Sequence, residues 1–558
     1  MNTMSGGSIF LSVLKDEGVT HLFGNPGTTE LPIMHALSEH PDLEYVLGLQ
    51  EAVVVAMADG FARASGQLAA CNVHVAPGLG NAMGSIFNAN WSGSPIIVSA
   101  GQQEQGHGLM EPMLYGELVP MAAPCVKWAF EVTRPDDLPR IIRRAAKIAL
   151  TPPMGPVFLS LPGDILNAQV AAEIGSRTRV DTGTVPAQGT LSALANRLLS
   201  AERPLLVCGQ EVASADAMTE AARVAELIGA AAMQQSVPSG AHYLSEHRTF
   251  VGGLTRVQQQ VRDVLSNYDL VVALGGDVFR MSVYAPVEAV PENTRLIHLG
   301  QLDWEMGKNY PTEMAVRADM KATLGALADH IEATRTDAQT AAAEERLTDI
   351  ASRNWSTKRV KLRESILSKN AGLSGDADTG IDPERLMVGI TDSLPAGAIV
   401  VEEALLNSRQ LPNLLAYRGH NDFFALDSGG IGFAIAGAVG ISLAHPTRQV
   451  VAIIGDGSAL YSFQALWTAA NKNLPITYII CNNSSYRILK ERLKAFHGNE
   501  NFIGMDMRDP TIDFTALARS FGVWAERVEK IEDLADVLRA AYQREGPKLI
   551  DVKVTDGF

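Results

Sequence analysis

A chain of 558 residues is too long for one hydrophobic core and implies three or four domains. Its 46% hydrophobic and 19% charged residues are those of a soluble globular protein, and a net charge of −16 excludes the basic footprint that a sequence-independent nucleic-acid grip requires. Cys71, Cys125, Cys208 and Cys481 lie at neither metal-finger nor redox-pair spacing, so no disulfide framework is expected.

The opening segment, MNTMSGGSIFLSVLKDEG, lacks a basic region followed by a long apolar core, so a cytoplasmic protein is expected. Short apolar runs then alternate with helical periods: HLFGNP, YVLGLQ, AACNVHV, SPIIVSA and GPVFLSLP come first. RPLLVCG, DLVVALGG and TRLIHLG follow, and GAIVVEE, QVVAIIG, ITYIICN and PKLIDVKV close the series. Strands apolar on both faces, separated by helices, predict parallel sheets covered on both sides: an α/β chain of three doubly wound domains. Weak periodicity near 168–190 and a charged, Ala-rich, then Gly/Asp-rich stretch near 332–382 divide it. The expected bounds are 1–168, 187–332, a linker over 333–382, and 383–558. The run GIGFAIAGAVGISLAHP from Gly430 is too short and glycine-rich for a membrane span and predicts a helix packed closely inside the protein.

In the last domain, the apolar run 450–454 stops at Gly455-Asp456-Gly457, and the run 476–481 stops at Asn482-Asn483. The 27 positions from Asp456 to Asn483 fit one strand–helix–strand crossover. Phe463, Leu466, Trp467 and Ala470 give the helix between them an apolar face. Ligands of parallel sheets collect at the carboxyl ends of strands, and both polar ends are such ends. A carboxylate, an amide oxygen and a nearby carbonyl suit Mg²⁺ or Ca²⁺, and Mg²⁺ usually completes its shell with phosphate oxygens. Gly457 and Ser458 open a helix, where an anion is favoured. GDG alone is more often a plain helix cap; its spacing to NN points to a metal-bridged diphosphate.

GDG followed by NN at this interval resembles the thiamin-diphosphate signature of the pyruvate decarboxylase and acetolactate synthase superfamily. FGNPGTTELP, LQEAVVVAMADGFARASG, NVHVAPGLGNAMG, IIVSAGQQ, GPVFLSLP, GGIGFAIAGAVG and GDGSALYSFQALWTAA occur in the family's order, over essentially the whole chain. Within the family, the benzoylformate decarboxylase branch is the most similar in pattern. The resemblance implies pyrimidine-binding, central and diphosphate-binding domains. It places the metal on Asp456, Asn483 and the carbonyl of Ser485, with Gly457, Ser458, Tyr461 and Tyr486 around the cofactor. It assigns cofactor activation to Glu51, whose apolar setting suits a carboxylate that shares a proton with the aminopyrimidine ring. Ile431 would support the bend of the cofactor, the Gly429 carbonyl would hold its amine, and Pro26, Gly27 and Thr28 would lie close by. Because Glu51 and Asp456 fall in different domains and relatives assemble the site between subunits, a homodimer is the minimum and a homotetramer is expected.

His74, in NVHVAPG, corresponds to a catalytic histidine of that branch, although a lone histidine at a strand end is more often structural; His107 stands alone in QGHGLM. The chain also departs from the pattern. Ser282, in VFRMSVY, replaces a second catalytic histidine, and serine cannot shuttle protons as imidazole does. Thr28 replaces a pocket serine. Ile488 and Leu489 would approach the substrate, and Arg492 stands where an aromatic is expected. Leu405 and Leu406 replace small polar residues near the diphosphate, for which Asn407 and Ser408 could substitute through a shifted loop. An inward Arg492 would suit a carboxyl-bearing 2-oxo acid; an outward one leaves Ile488 and Leu489 to favour an aryl or branched aliphatic substrate. The resemblance thus implies a 2-oxo acid decarboxylase that releases an aldehyde and CO₂. The alternatives are a carboligase that passes its enamine to a second carbonyl, and a homologue without catalysis, which intact Glu51, Asp456 and Asn483 oppose.

Overall fold

The computed structural model describes residues 3–171, 173–369 and 380–557. Three six-stranded sheets flanked by helices follow one another along the chain. It divides into two compact units, 1–180 with 372–409 and 426–558, and 181–371 with 410–425.

In the first unit, the N-terminal strands are β1 (His21–Gly24), β2 (Glu44–Leu47), β3 (Ala69–Val73), β4 (Ile96–Gln102), β5 (Trp128–Glu131) and β6 (Val157–Pro162). They lie in the order β2-β1-β3-β4-β6-β5, all parallel. The second unit holds β7 (Pro204–Cys208), β8 (Ala231–Gln234), β9 (Phe250–Gly253), β10 (Leu270–Leu274), β11 (Arg295–Gly300) and β12 (Met314–Arg317). Their order is β9-β8-β7-β10-β11-β12, again parallel. Of the six strands of the C-terminal sheet the first unit holds five: β13 (Ile399–Glu403), β14 (Val450–Gly455), β15 (Ile476–Asn482), β16 (Trp524–Val528) and β17 (Lys548–Lys553). These lie in the order β13-β14-β15-β17-β16.

Every apolar run read from the sequence forms a strand. The strands that were not legible include β5, β12 and β16, which sit at sheet edges. An edge strand meets solvent along one side, so its sequence (WAFE, MAVR, WAERV) lacks a continuous apolar run. The stretch expected as a linker is largely helical, at Asp337–Ser352 and Trp355–Lys369, and its positions 370–379 lie outside the described residues.

Helices α1 (Glu51–Ser65), α2 (Val75–Trp91) and α3 (Phe433–Ala444) join the two sheets of the first unit. Nearly every residue of α1 and α3 is buried, as expected of helices apolar on all sides. They meet backbone to backbone. A Cβ on Gly60 would stand 2.2 Å from the Gly437 oxygen, and one on Gly440 would stand 1.9 Å from the Met57 oxygen. The glycine-rich run is therefore the closely packed interior helix the sequence implies, and among the described residues no helix is long and apolar enough to cross a membrane.

Because Gly440 has no space for a methyl group, Gly440→Ala should destabilise the protein by about 2–3 kcal/mol, the usual scale of core overpacking. An unchanged urea midpoint would show that α1 and α3 separate without cost.

Candidate active site

Neighbouring strands β14 and β15 end level, with Gly455 paired to Cys481. Asp456 opens the short helix Asp456–Ala459, and its Oδ1 accepts from the Gly457 N–H at 2.8 Å. Its Oδ2 accepts from the Asn483 N–H at 3.1 Å, so the two residues picked from spacing converge. The two asparagines divide the work. Asn482 donates to Asp551 at 3.0 Å and ties down the strand end, whereas the Asn483 Oδ1 accepts from the Ser485 N–H at 3.1 Å beside Asp456. Between them Ser484 adopts a left-handed φ of +53° that turns the chain back over the strand ends. Helix α4 (Ala465–Asn471) supplies the crossover, shorter than the apolar period suggested because residues 460–464 form turns.

The loop after β15 is clamped from outside. Ser484–Tyr486 pairs with 505–507 through Tyr486 N–H to Met505 oxygen and Met507 N–H to Ser484 oxygen, both 2.8 Å. The Ser485 hydroxyl donates to Asp556, and buried Lys490 bridges Asp506 and Asp556 at 2.7 Å each.

Burial pushes the Asp456 carboxyl up to about 6, against the pull of the loop N–H groups it accepts from. A divalent cation would relieve that burial by pairing with the carboxylate. The donor set of one carboxylate, one amide oxygen and one carbonyl is all oxygen, which fits a hard ion. Among the described residues no group of three or more His, Cys, Asp or Glu could hold a metal alone. A cation here would thus depend on oxygens from a ligand such as a diphosphate.

Around this point the backbone comes close. The Tyr486 ring packs on Gly457, where a Cβ would stand 2.6 Å from Cε1, and Gly432 lies against Tyr461, whose own Cβ would be 2.8 Å from a Cβ there. Ser458 is buried, Tyr461 and Gly429 are exposed, and Ile431 is half-buried. Glu403, at the end of β13, was not legible as a site residue. Its carboxylate accepts from the N–H groups of Gly432 and Ala434 and so holds the GGIGF loop at the start of α3. Leu405 adopts a left-handed φ of +54°. The Ser408 hydroxyl is engaged by Glu402 and the Leu405 oxygen. Asn407 is buried with its Oδ1 unpartnered, an unmet polar atom of the kind a bound ligand satisfies.

The second cluster lies at the ends of β1 and β3. Glu51, first residue of α1, is buried against Gly78 of α2, and its Oε2 accepts from the Asn81 amide at 3.0 Å. His74 caps α2 and packs on the backbone of Gly27, where a Cβ would meet its Nδ1 at 2.0 Å. Glu30, fully buried, reaches the same Nδ1 at 2.7 Å. Pro26 and Gly27 are half-buried and Thr28 is exposed. Along α2, Asn81 holds Glu51 and Asn88 holds the Gly430 oxygen at 2.8 Å; seven helical residues separate these anchors by about 10 Å. Ser282 belongs to the second compact unit, where it is exposed and its N–H donates to the Arg256 oxygen. On α5 (Arg487–His497), Ile488 is half-buried and Leu489 exposed, while the Arg492 guanidinium lies over the Phe496 ring at 5.7 Å.

The site thus combines paired oxygen-bearing side chains at adjacent strand ends with a buried glutamate in a separate α/β domain, a pattern suited to a diphosphate. Family models agree. The N-terminal TPP-binding domain of thiamine pyrophosphate enzymes matches residues 4–114, the central domain of those enzymes matches 191–327, and the C-terminal TPP-binding domain matches 411–552. Benzoylformate decarboxylase of Pseudomonas aeruginosa is 33% identical over 97% of each chain. A putative acetolactate synthase large subunit of Mycobacterium tuberculosis is 29% identical over 99% of each. The solved thiamine diphosphate-dependent 4-hydroxybenzoylformate decarboxylase of Rhodococcus jostii RHA1 superposes with a TM-score of 0.87 at 30% identity, over 99% of each chain. The chain belongs to the thiamine pyrophosphate enzymes, in the family that unites these decarboxylases with the acetolactate synthases.

Burial raises the Glu403 carboxyl from 4.5 to about 7, although the Gly432 and Ala434 N–H groups pull it down. Such a group binds its proton more tightly folded than unfolded. Its contribution to stability is complete below about pH 4.5 and is lost as pH rises through about 7. In urea titrations from about pH 5 to about pH 8, the wild-type chain should lose roughly 2–3 kcal/mol relative to Glu403→Gln. Parallel pH curves for the two proteins would contradict this.

Proposed function

We propose that this chain is a thiamin-diphosphate-dependent, non-oxidative decarboxylase that converts a benzoylformate-like aryl or branched aliphatic 2-oxo acid to an aldehyde and CO₂. The observation that carries the reading is the His74 imidazole, packed on the Gly27 backbone within the GNPGTT loop. Decarboxylation to an aldehyde needs a proton delivered to carbon, and imidazole is the side chain suited to moving one near neutral pH. Whole-chain similarity to a benzoylformate decarboxylase supports the same reading. Thiamin diphosphate, when bound, supplies the electron sink that accepts the pair left as the bond to the carboxylate breaks.

The chain's own residues have these proposed roles. Asp456, Asn483 and the Ser485 carbonyl would hold Mg²⁺ or Ca²⁺ against the diphosphate, with Gly457, Ser458, Tyr461 and Tyr486 around it. Glu51, kept in place by Asn81, would hold the proton shared with the aminopyrimidine. Ile431 and the Gly429 carbonyl would seat that ring, and Pro26 and Gly27 would flank it. His74 would give a proton to the carbon that has lost CO₂ and receive one as the aldehyde forms, and the Thr28 hydroxyl would line the substrate pocket. Ile488 and Leu489 offer apolar surface to the substrate. Arg492, stacked on Phe496 of its own helix, is engaged away from a carboxylate, which favours an aryl or branched substrate over a dicarboxylic one.

A second reading is favoured by Ser282. If serine stands where a proton-moving histidine is needed, slower protonation leaves the reacting carbon open to a second carbonyl, and the enzyme becomes a carboligase. Product identity separates the two readings. The separation of Glu51 from the Gly430 anchor along α2 supports completion of the site by a second copy, as a homodimer or homotetramer. So do Leu109, Met110 and Met113, exposed by 98%, 75% and 83% on one loop, since apolar surface on this scale is usually covered.

Thiamin diphosphate with Mg²⁺ should raise the melting temperature, a stabilisation of about 2.7 kcal/mol at a hundred times Kd; no shift at saturation would sink both readings. With benzoylformate added, chromatography should find benzaldehyde and matching CO₂, whereas a hydroxyketone would select the carboligase. Glu51→Gln should lower turnover by roughly 10²–10⁴-fold while the urea midpoint holds, and full activity would remove Glu51 from the mechanism.

A further inference from the structure

We propose that Glu30 is the positioning residue of His74: its buried carboxylate holds the imidazole in the tautomer with the proton on Nδ1, leaving Nε2 to exchange protons with the substrate. This rests on the reading that His74 moves protons.

The carboxylate of Glu30 is fully buried, and four donors converge on it. Its Oε2 accepts from the Gly27 N–H at 2.8 Å and lies 2.7 Å from His74 Nδ1. Its Oε1 accepts from the Gly101 N–H at 2.8 Å and the Thr29 hydroxyl at 2.7 Å. A carboxylate has only acceptors, so the proton on the shared His74 edge belongs to Nδ1. Three separate segments are locked by this one group: the GNPGTTE loop, the end of β4, and the start of α2.

The surroundings are shaped for the contact. A Cβ on Gly101 would stand 2.2 Å from Glu30 Oε1, and one on Gly27 would stand 2.0 Å from His74 Nδ1, so neither position admits a side chain. Val75, the residue after His74, is fully buried and adopts a left-handed φ of +38°. A β-branched residue rarely adopts that conformation, and it persists only where the surroundings impose it. Here the strain sets His74 at the turn from β3 into α2, with its ring over Gly27. A buried carboxylate that fixes an imidazole's tautomer is a known way to make histidine an efficient proton carrier. Glu30 lies two positions beyond Thr28, the last of the loop residues that the family resemblance singled out, and its partner His74 is 44 positions away.

Nitrogen NMR of the ¹⁵N-histidine-labelled holoenzyme reads the tautomer directly, with the His74→Ala protein identifying the His74 signals. The expected result is a proton on Nδ1 of His74 in the wild-type protein. Kinetics test the consequence, with the 2-oxo acid the wild type turns over. Glu30→Gln should lower kcat by roughly 10²-fold, with KM and the dissociation constant of thiamin diphosphate within about twofold of wild type. In a His74→Ala background the same change should have no further effect on kcat. A proton on Nε2 in the wild type overturns the proposal, as does an equal loss of kcat from Glu30→Gln with and without His74. A His74→Ala protein with wild-type kcat would instead refute the proton-moving reading, and the tautomer would still decide what Glu30 does to the ring. Should Glu30→Gln fail to fold, the wild-type spectrum alone decides.

Discussion

Burying a carboxylate is costly unless it collects hydrogen-bond donors, and the loops at the strand ends of this protein are organised by that requirement. Glu30 collects the N–H groups of Gly27 and Gly101, Glu403 those of Gly432 and Ala434, and Asp456 those of Gly457 and Asn483. In the second unit, Glu211 accepts from the Gln301 N–H at 2.7 Å in the same manner. Each carboxylate ties together the segments whose N–H groups it accepts from, so they can no longer move independently. The polar edge of each sheet is therefore rigid before any ligand arrives, which lowers the ordering cost of binding.

Parallel sheets make this edge unavoidable. All strands of a sheet point the same way, so their carboxyl ends and the loops that follow them collect along one rim. In the first unit two such rims are joined by α1 and α3, whose glycines bring the backbones into contact. The helix pair carries Glu51 at the start of one helix and the GGIGF loop at the start of the other. Rigid spacing between these two positions is a property of the helix contact, and through it packing reaches chemistry.

Most interior strands were legible because burial on both faces leaves an unbroken apolar run, as in VVAIIG and ITYIICN; the interior strand Ala231–Gln234, only four residues long and ending in glutamine, was not. Edge strands such as Trp524–Val528 were not, because half their surface faces solvent. The pairing of Asp456 with Asn483 was legible from one crossover's length and from where the apolar runs stop. Glu403 could have been noticed as an acidic residue inside the apolar run IVVEE, a placement that needs a partner to be tolerated. Asn81 and Glu30 carried no such signal, since their partners lie 30 and 44 positions away. The bond of the Ser408 hydroxyl to Glu402 is another contact that spacing cannot reveal.

By itself, then, the sequence determined the α/β class, most interior strands, the close-packed glycine helix and the polar strand ends, because each depends on short-range patterns of burial and chain direction. Only the tertiary structure decided which buried carboxylate meets which loop, that Asn81 holds Glu51, and that Glu30 grips His74. Those contacts depend on where distant segments cross, and local patterning sets no such crossing.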